Sequence, residues 1–204
     1  MKTLAELASI YGVDKALPFL NYPPLYDLLF APIQDKPIRL LEIGVQRGRS
    51  LRMWYDYFPS ATIFGYDILR WSRLSRYNRD RIFNFSGDQS KREDLNKFIH
   101  MFGGEFDIII DDGSHYSDHQ FISLASLYYY LKPGGMYFVE DLQAEPAQPF
   151  RKAMRKWRCG EDWTAKVLFP HEIENLKKNT KFVKFVDEGE KLALIQKNSM
   201  ELNK

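Results

Sequence analysis

Strand-like and helix-like stretches alternate along the chain, which predicts an α/β domain built on a parallel sheet. Two further observations sharpen that expectation. Acidic residues recur at the carboxyl ends of the strand-like runs, the edge where ligands bind in open α/β sheets. The tail breaks the alternation: "KFVKFV", a "DEGE" turn and "KLALIQK" read as an antiparallel hairpin.

The elements follow in order. Thr3 and Glu6 form a capping box opening a first amphipathic helix. A second helix follows Pro24, in "LYDLLFAPI". "IRLLEIGV" is a continuous apolar run, the signature of a strand covered on both faces. "SLRMWYDYF" has helical spacing. "ATIFGYDI" and "RIFNFSGD" are strands ending at Asp67 and Asp88. "KREDLNKFIHMF" is a charged amphipathic helix, and "FDIIIDD" the fourth strand. "HQFISLASLYYYL" is a helix stopped by "KPGG", and "GMYFVEDL" the fifth strand, ending at Glu140 and Asp141.

With 204 residues, 45% of them hydrophobic, the chain suffices for one α/β domain with a substantial core. It reads as a single domain over 1–204: a helical segment 1–36, a ligand-binding core 37–142, a variable substrate or lid segment 143–180, and a hairpin 181–197. A net charge of +2 gives no field that favours nucleic acid or an acidic membrane. No run approaches the ~18 apolar residues of a membrane span. The N-terminal residues lack the apolar core of a signal peptide, and one cysteine, Cys159, cannot form an internal disulfide. Both fit the cytoplasm. The "LYYYL" tract suits core and subunit contact, as in a homo-oligomer. "FRKAMRKWR" reads first as a solvated helix face, and second as a lid that receives an anionic substrate.

"LEIGVQRGRS" lies between strand and helix, where Gly44 and Gly48 allow a tight turn and a close approach to a ligand. Asp67 follows about 20 residues on, where an acid binds ribose hydroxyls. Gln46 and Arg49 stand where the dinucleotide fingerprint needs glycine, so a nicotinamide or flavin pyrophosphate fits poorly. Glu42-x-Gly44, Asp67, Asp88 and the antiparallel tail together resemble the class I S-adenosylmethionine-dependent methyltransferases. That resemblance implies a Rossmann-like seven-stranded sheet of order 3-2-1-4-5-7-6, its last strand antiparallel. It also implies a cofactor site of Glu42, Gly44, Gly48, Ser50, Asp67, Asp88, Gln89 and Asp111. Within that set the Gly44–Gly48 backbone faces methionine, Asp67 the ribose, and Asp88 with Gln89 the adenine. Asp111 caps the next helix or bonds the cofactor loop.

"LASIYGVDK", "LLEIGV", "GDQS", "FDIIIDDGSH" and "LKPGGMYFVEDLQ" resemble, more narrowly, the metal-dependent sugar O-methyltransferases of macrolide and rhamnosyl glycoside pathways, with cephalosporin-hydroxylase-like relatives. Three carboxylates in one cleft raise one another's pKa and call for a cation, and oxygen ligands suit magnesium or manganese. The resemblance implies that Asp112, Glu140 and Asp141 hold that metal and that His115 is the general base. The implied activity is metal-assisted methylation of a sugar hydroxyl on a glycoside, nucleotide-sugar or polysaccharide. The other readings are methylation of another small or anionic acceptor, methylation of nucleic acid, or a non-catalytic partner role. "DDGSH" stands where base methyltransferases carry Asn-Pro-Pro-aromatic, which disfavours nucleic acid. Ser114 reads as a turn residue and His119 as a helix residue at the cleft rim; a zinc pair of His115 and His119 lacks the His-Glu-x-x-His pattern.

Overall fold

The computed structural model describes residues 2–70, 75–187 and 189–199. Seven strands form one sheet: β1 (Arg39–Ile43), β2 (Thr62–Asp67), β3 (Ile82–Ser86), β4 (Phe106–Asp111), β5 (Leu131–Val139), β6 (Thr180–Phe185) and β7 (Ala193–Lys197). Their order is β3-β2-β1-β4-β5-β7-β6, as the sequence implied. β7 runs antiparallel to both β5 and β6, and the other neighbours are parallel.

The described α-helices are α1 (Leu4–Tyr11), α2 (Pro23–Phe30), α3 (Arg49–Tyr57), α4 (Arg92–Phe102), α5 (Ser117–Leu127), α6 (Gln148–Arg158) and α7 (Pro170–Asn179). Thr3 and Glu6 close the expected capping box on α1. α2 starts at Pro23, two residues earlier than expected, because proline at the first helical position loses no hydrogen bond. The tract read as the end of a helix behaves differently. α5 stops at Leu127, Tyr128–Tyr130 tighten into a 3-10 turn, and "LKPGG" already belongs to β5. Tyr128 is buried and Tyr129 is exposed.

Strand parity assigns side chains to two cores. Leu41, Ile43, Phe64, Tyr66, Ile109, Tyr137 and Val139 face α4, α5, α6 and α7. Leu40, Ile63, Ile108, Ile110 and Phe138 face α1, α2 and α3. Phe150 and Met154 of α6, with Trp163 and Leu168 beyond it, are buried in the first core, so much of 143–180 is packed against the sheet. The three arginines of α6 are spoken for: Arg151, Arg155 and Arg158 converge on Glu190, in the turn before β7, while Lys152 and Lys156 face solvent. Burial would push the Glu190 carboxyl up, but the three guanidiniums outweigh it and hold it below the usual range. A depressed carboxyl stabilises the fold above its unfolded pKa, and that contribution is lost as pH falls through the folded value. Glu190→Gln should therefore cost about 1 kcal/mol at neutral pH. Urea midpoints of variant and parent should differ at pH 7 and converge as pH falls through the depressed Glu190 value; a gap that persists in strong acid would refute the assignment.

Candidate active site

A cavity of about 630 Å³ opens at the carboxyl edge of β1, β2, β3 and β4. One wall is the loop Gly44–Arg47, and Asp67, Asp88 and Gln89 line it from the next strand ends. Asp112–His115, His119 and Asp141 form another wall, and Gly12, Val13 and Asp14 close it from the segment after α1.

The Gly44 loop is held against the next strand end. Gly44 has φ +93°, and a Cβ there would overlap the Asp112 carbonyl, so β1 and β4 approach as only glycine permits. Asp67 accepts from the backbone N–H of Val45 (2.6 Å), Gln46 (2.8 Å) and Leu69 (2.9 Å). A carboxylate has about four acceptor positions, so one stays available to the cavity. Gln46, His115 and Asp141 all sit at positive φ, unusual for residues with side chains, and all three line the cavity.

Of the expected cofactor residues, Glu42, Gly48 and Asp111 lie outside the cavity lining. Asp111 is fully buried and does not line the cavity: parity turns it toward α5, where Ser123 Oγ and Gln89 Nε2 (3.1 Å) donate to it. Gln89 uses its other end to accept from Ser114 N–H (2.8 Å), bracing the two loops. Glu42 is likewise 0% exposed, facing the opposite core, where Trp54 Nε1 donates to it (3.2 Å). Gly48 starts α3 at φ +66° and packs on the Tyr77 ring, outside the cavity lining. Ser50 and Asp88 do line the cavity. Ser114 is a turn residue whose Oγ lies 2.8 Å from His119 Nδ1, at the rim as expected.

The acids separate into two groups. Asp112, His115 and Asp141 each offer a ligand atom, all within 4.8 Å of one another. His115 Nε2 is 3.8 Å from Asp141 Oδ2, and its Nδ1 is buried without a partner. Glu140, expected beside them, faces the α2 side instead. Its two oxygens accept from Lys15 Nζ (2.7 Å) and Tyr26 OH (2.6 Å). Lys15, 1% exposed, also pairs with Asp112 and lies 3.3 Å from Glu42. Burial would push this lysine down; Asp112, Glu140 and Glu42 outweigh it and hold its pKa well above the usual range. Burial pushes Glu140 up, and Lys15 only partly offsets that. Tyr22 OH donates to Asp141 (2.9 Å). Thus a lysine ammonium already stands between Asp112, Glu140 and Glu42, while Asp141 lies outside its reach.

Lys15, Tyr22 and Tyr26 were missed in the sequence, although "YGVDK" and "NYPPLY" contain them. The available signal was an excess of carboxylates at strand ends with no basic residue beside them.

No family model matches the chain. Over 147 residues it is 40% identical to mycinamicin VI 2''-O-methyltransferase of Micromonospora griseorubida, covering 68% of this chain and 36% of that protein. Over 157 residues it is 38% identical to 8-demethyl-8-alpha-L-rhamnosyl tetracenomycin-C 2'-O-methyltransferase of Streptomyces olivaceus, covering 74% of this chain and 40% of that one. The chain is a homologue of sugar O-methyltransferases. Its fold is the class I methyltransferase fold. The structure of MycE methyltransferase in complex with Mg, SAH and mycinamycin VI superposes with a TM-score of 0.79 at 27% identity, covering 98% of this chain and 55% of MycE. This homologue therefore spans about half the length of MycE, and its alignments cover little more than a third of the curated relatives. Among the described residues no helix is long and apolar enough to cross a membrane.

Proposed function

We propose that the chain is an S-adenosylmethionine-dependent O-methyltransferase acting on a sugar hydroxyl of a small glycoside or nucleotide-sugar, assisted by magnesium or manganese. The observation that carries this reading is the convergence of Asp112, His115 and Asp141 on the wall of the cavity that the Gly44 loop and Asp67 shape. Asp67 keeps an acceptor position for a ribose hydroxyl, and Asp88 lines the neighbouring wall where adenine would lie. Two carboxylates beside an imidazole suit a hard divalent ion, and His115 Nδ1 is a buried polar atom still without a partner. Glu140 stands next to this set, with Lys15 and Tyr26 each donating to one of its oxygens.

His115 takes the proton of the acceptor hydroxyl at Nε2, and the nearby Asp141 carboxylate stabilises the imidazolium that results. A divalent ion bound by Asp112 and Asp141 would make that hydroxyl more acidic, and S-adenosylmethionine would supply the methyl group. The Gly12–Asp14 segment screens one side of the cavity from water and helps to fix the acceptor's approach. A cytoplasmic setting accords with the free, exposed Cys159. The α6 arginines are oriented toward Glu190 rather than splayed along a groove.

The test is methylation of nucleotide-sugars and rhamnosides followed by mass spectrometry. Transfer is expected with magnesium, lost in excess EDTA, and restored by manganese. Undiminished transfer in EDTA, on protein shown metal-free by elemental analysis, would overturn the metal assignment. Failure to bind S-adenosylmethionine in calorimetry would overturn the reading as a whole.

A further inference from the structure

Buried carboxylates in one cluster normally carry protons or hold a metal, because unpaired charges out of water are too costly. Here Glu42, Asp112 and Glu140 leave three different strand ends on the α1–α2–α3 side of the sheet. They meet one ammonium, that of Lys15, with both partner distances for Glu42 and Glu140 at or below 3.3 Å. Lys15 sits in a short 3-10 turn (Asp14–Ala16) after α1. The same stretch sends Tyr22 to Asp141 and Tyr26 to Glu140. Every acid on the second face of the site is thus gripped from residues 15–26.

We propose that Lys15 is a positioning residue, a built-in counter-cation that assembles Glu42, Asp112 and Glu140 before any divalent ion binds. The fold then does not need the metal to hold its acids together. Lys15 fixes one oxygen of Asp112, and the rest of that carboxylate, with Asp141, remains for the ion beside His115. This last clause rests on the ion site proposed above; the role of Lys15 in the metal-free protein does not.

The experiment compares thermal unfolding of EDTA-treated parent, Lys15→Met and the double variant Lys15→Met/Glu140→Gln. The single variant strands two fully buried carboxylates and the partly buried Asp112, and should melt about 10 °C or more below the parent, or fail to fold. The double variant removes one charge and its acceptor together, and should recover at least half of that loss. A single variant as stable as the parent overturns the proposal. So does a double variant no better than the single one, since Lys15 would then act through packing and not charge. Manganese titration of the parent by calorimetry separates the two readings: absence of binding removes the ion site and leaves the metal-free result to judge Lys15.

Discussion

His115→Asn is expected to lower methyl transfer by about 10²–10⁴-fold, the usual contribution of a positioned general base. Asparagine is the informative replacement because His115 sits at φ +59°, a conformation asparagine tolerates better than alanine. The imidazole is lost while the turn between β4 and α5 is kept. Manganese affinity measured alongside decides what His115 does. As a base beside the ion, its loss should change affinity less than about tenfold, below the range seen even for outer-shell ligands. If affinity collapses with turnover, His115 is a ligand and the base lies elsewhere. Near-normal turnover at neutral pH would remove it from the mechanism.

Gly44→Ala is expected to destabilise the domain by about 3 kcal/mol or more, lowering the melting temperature by roughly 6–12 °C for a chain of this size. Two costs add. At φ +93° any L side chain is strained, and the new methyl would meet backbone, the Asp112 carbonyl and the Gly113 Cα, which cannot swing aside as a side chain can. Relief requires the β1 and β4 ends to separate, which shifts Asp112, so ion affinity should fall as well. Gly48→Ala is the control: its methyl would meet the Tyr77 ring, a side chain with room to adjust, and its effect should be smaller. Equal melting temperatures for Gly44→Ala and the parent would show that the close approach of the two strand ends is not maintained in solution.

Much of this protein was legible from the order of its residues. Apolar runs such as "FDIIIDD" are strands because a parallel strand is buried on both faces. The antiparallel tail was readable from its turn, and the acids at strand ends marked the ligand edge. At "KPGG" the local tendency to break survives in part: the helical turns end at Tyr130, and Lys132–Gly135 bulge out between Leu131 and Met136, the residues of β5 that pair with β4. What sequence could not decide was the direction of each acid. Asp111 and Asp112 are adjacent, yet one props Gln89 and Ser123 and the other meets Lys15, because successive residues of a strand face opposite sides. That alternation is written in the sequence; which helices cover each side is not. The partner of Glu140 comes from a residue 125 positions away, brought there by packing of α1 and α2 on the sheet. Local pattern determined the elements and the edge on which chemistry would lie. The long-range contacts alone decided that a lysine, two tyrosines and a histidine would share the carboxylates among them, since the cost of a buried charge is settled only where its neighbours are.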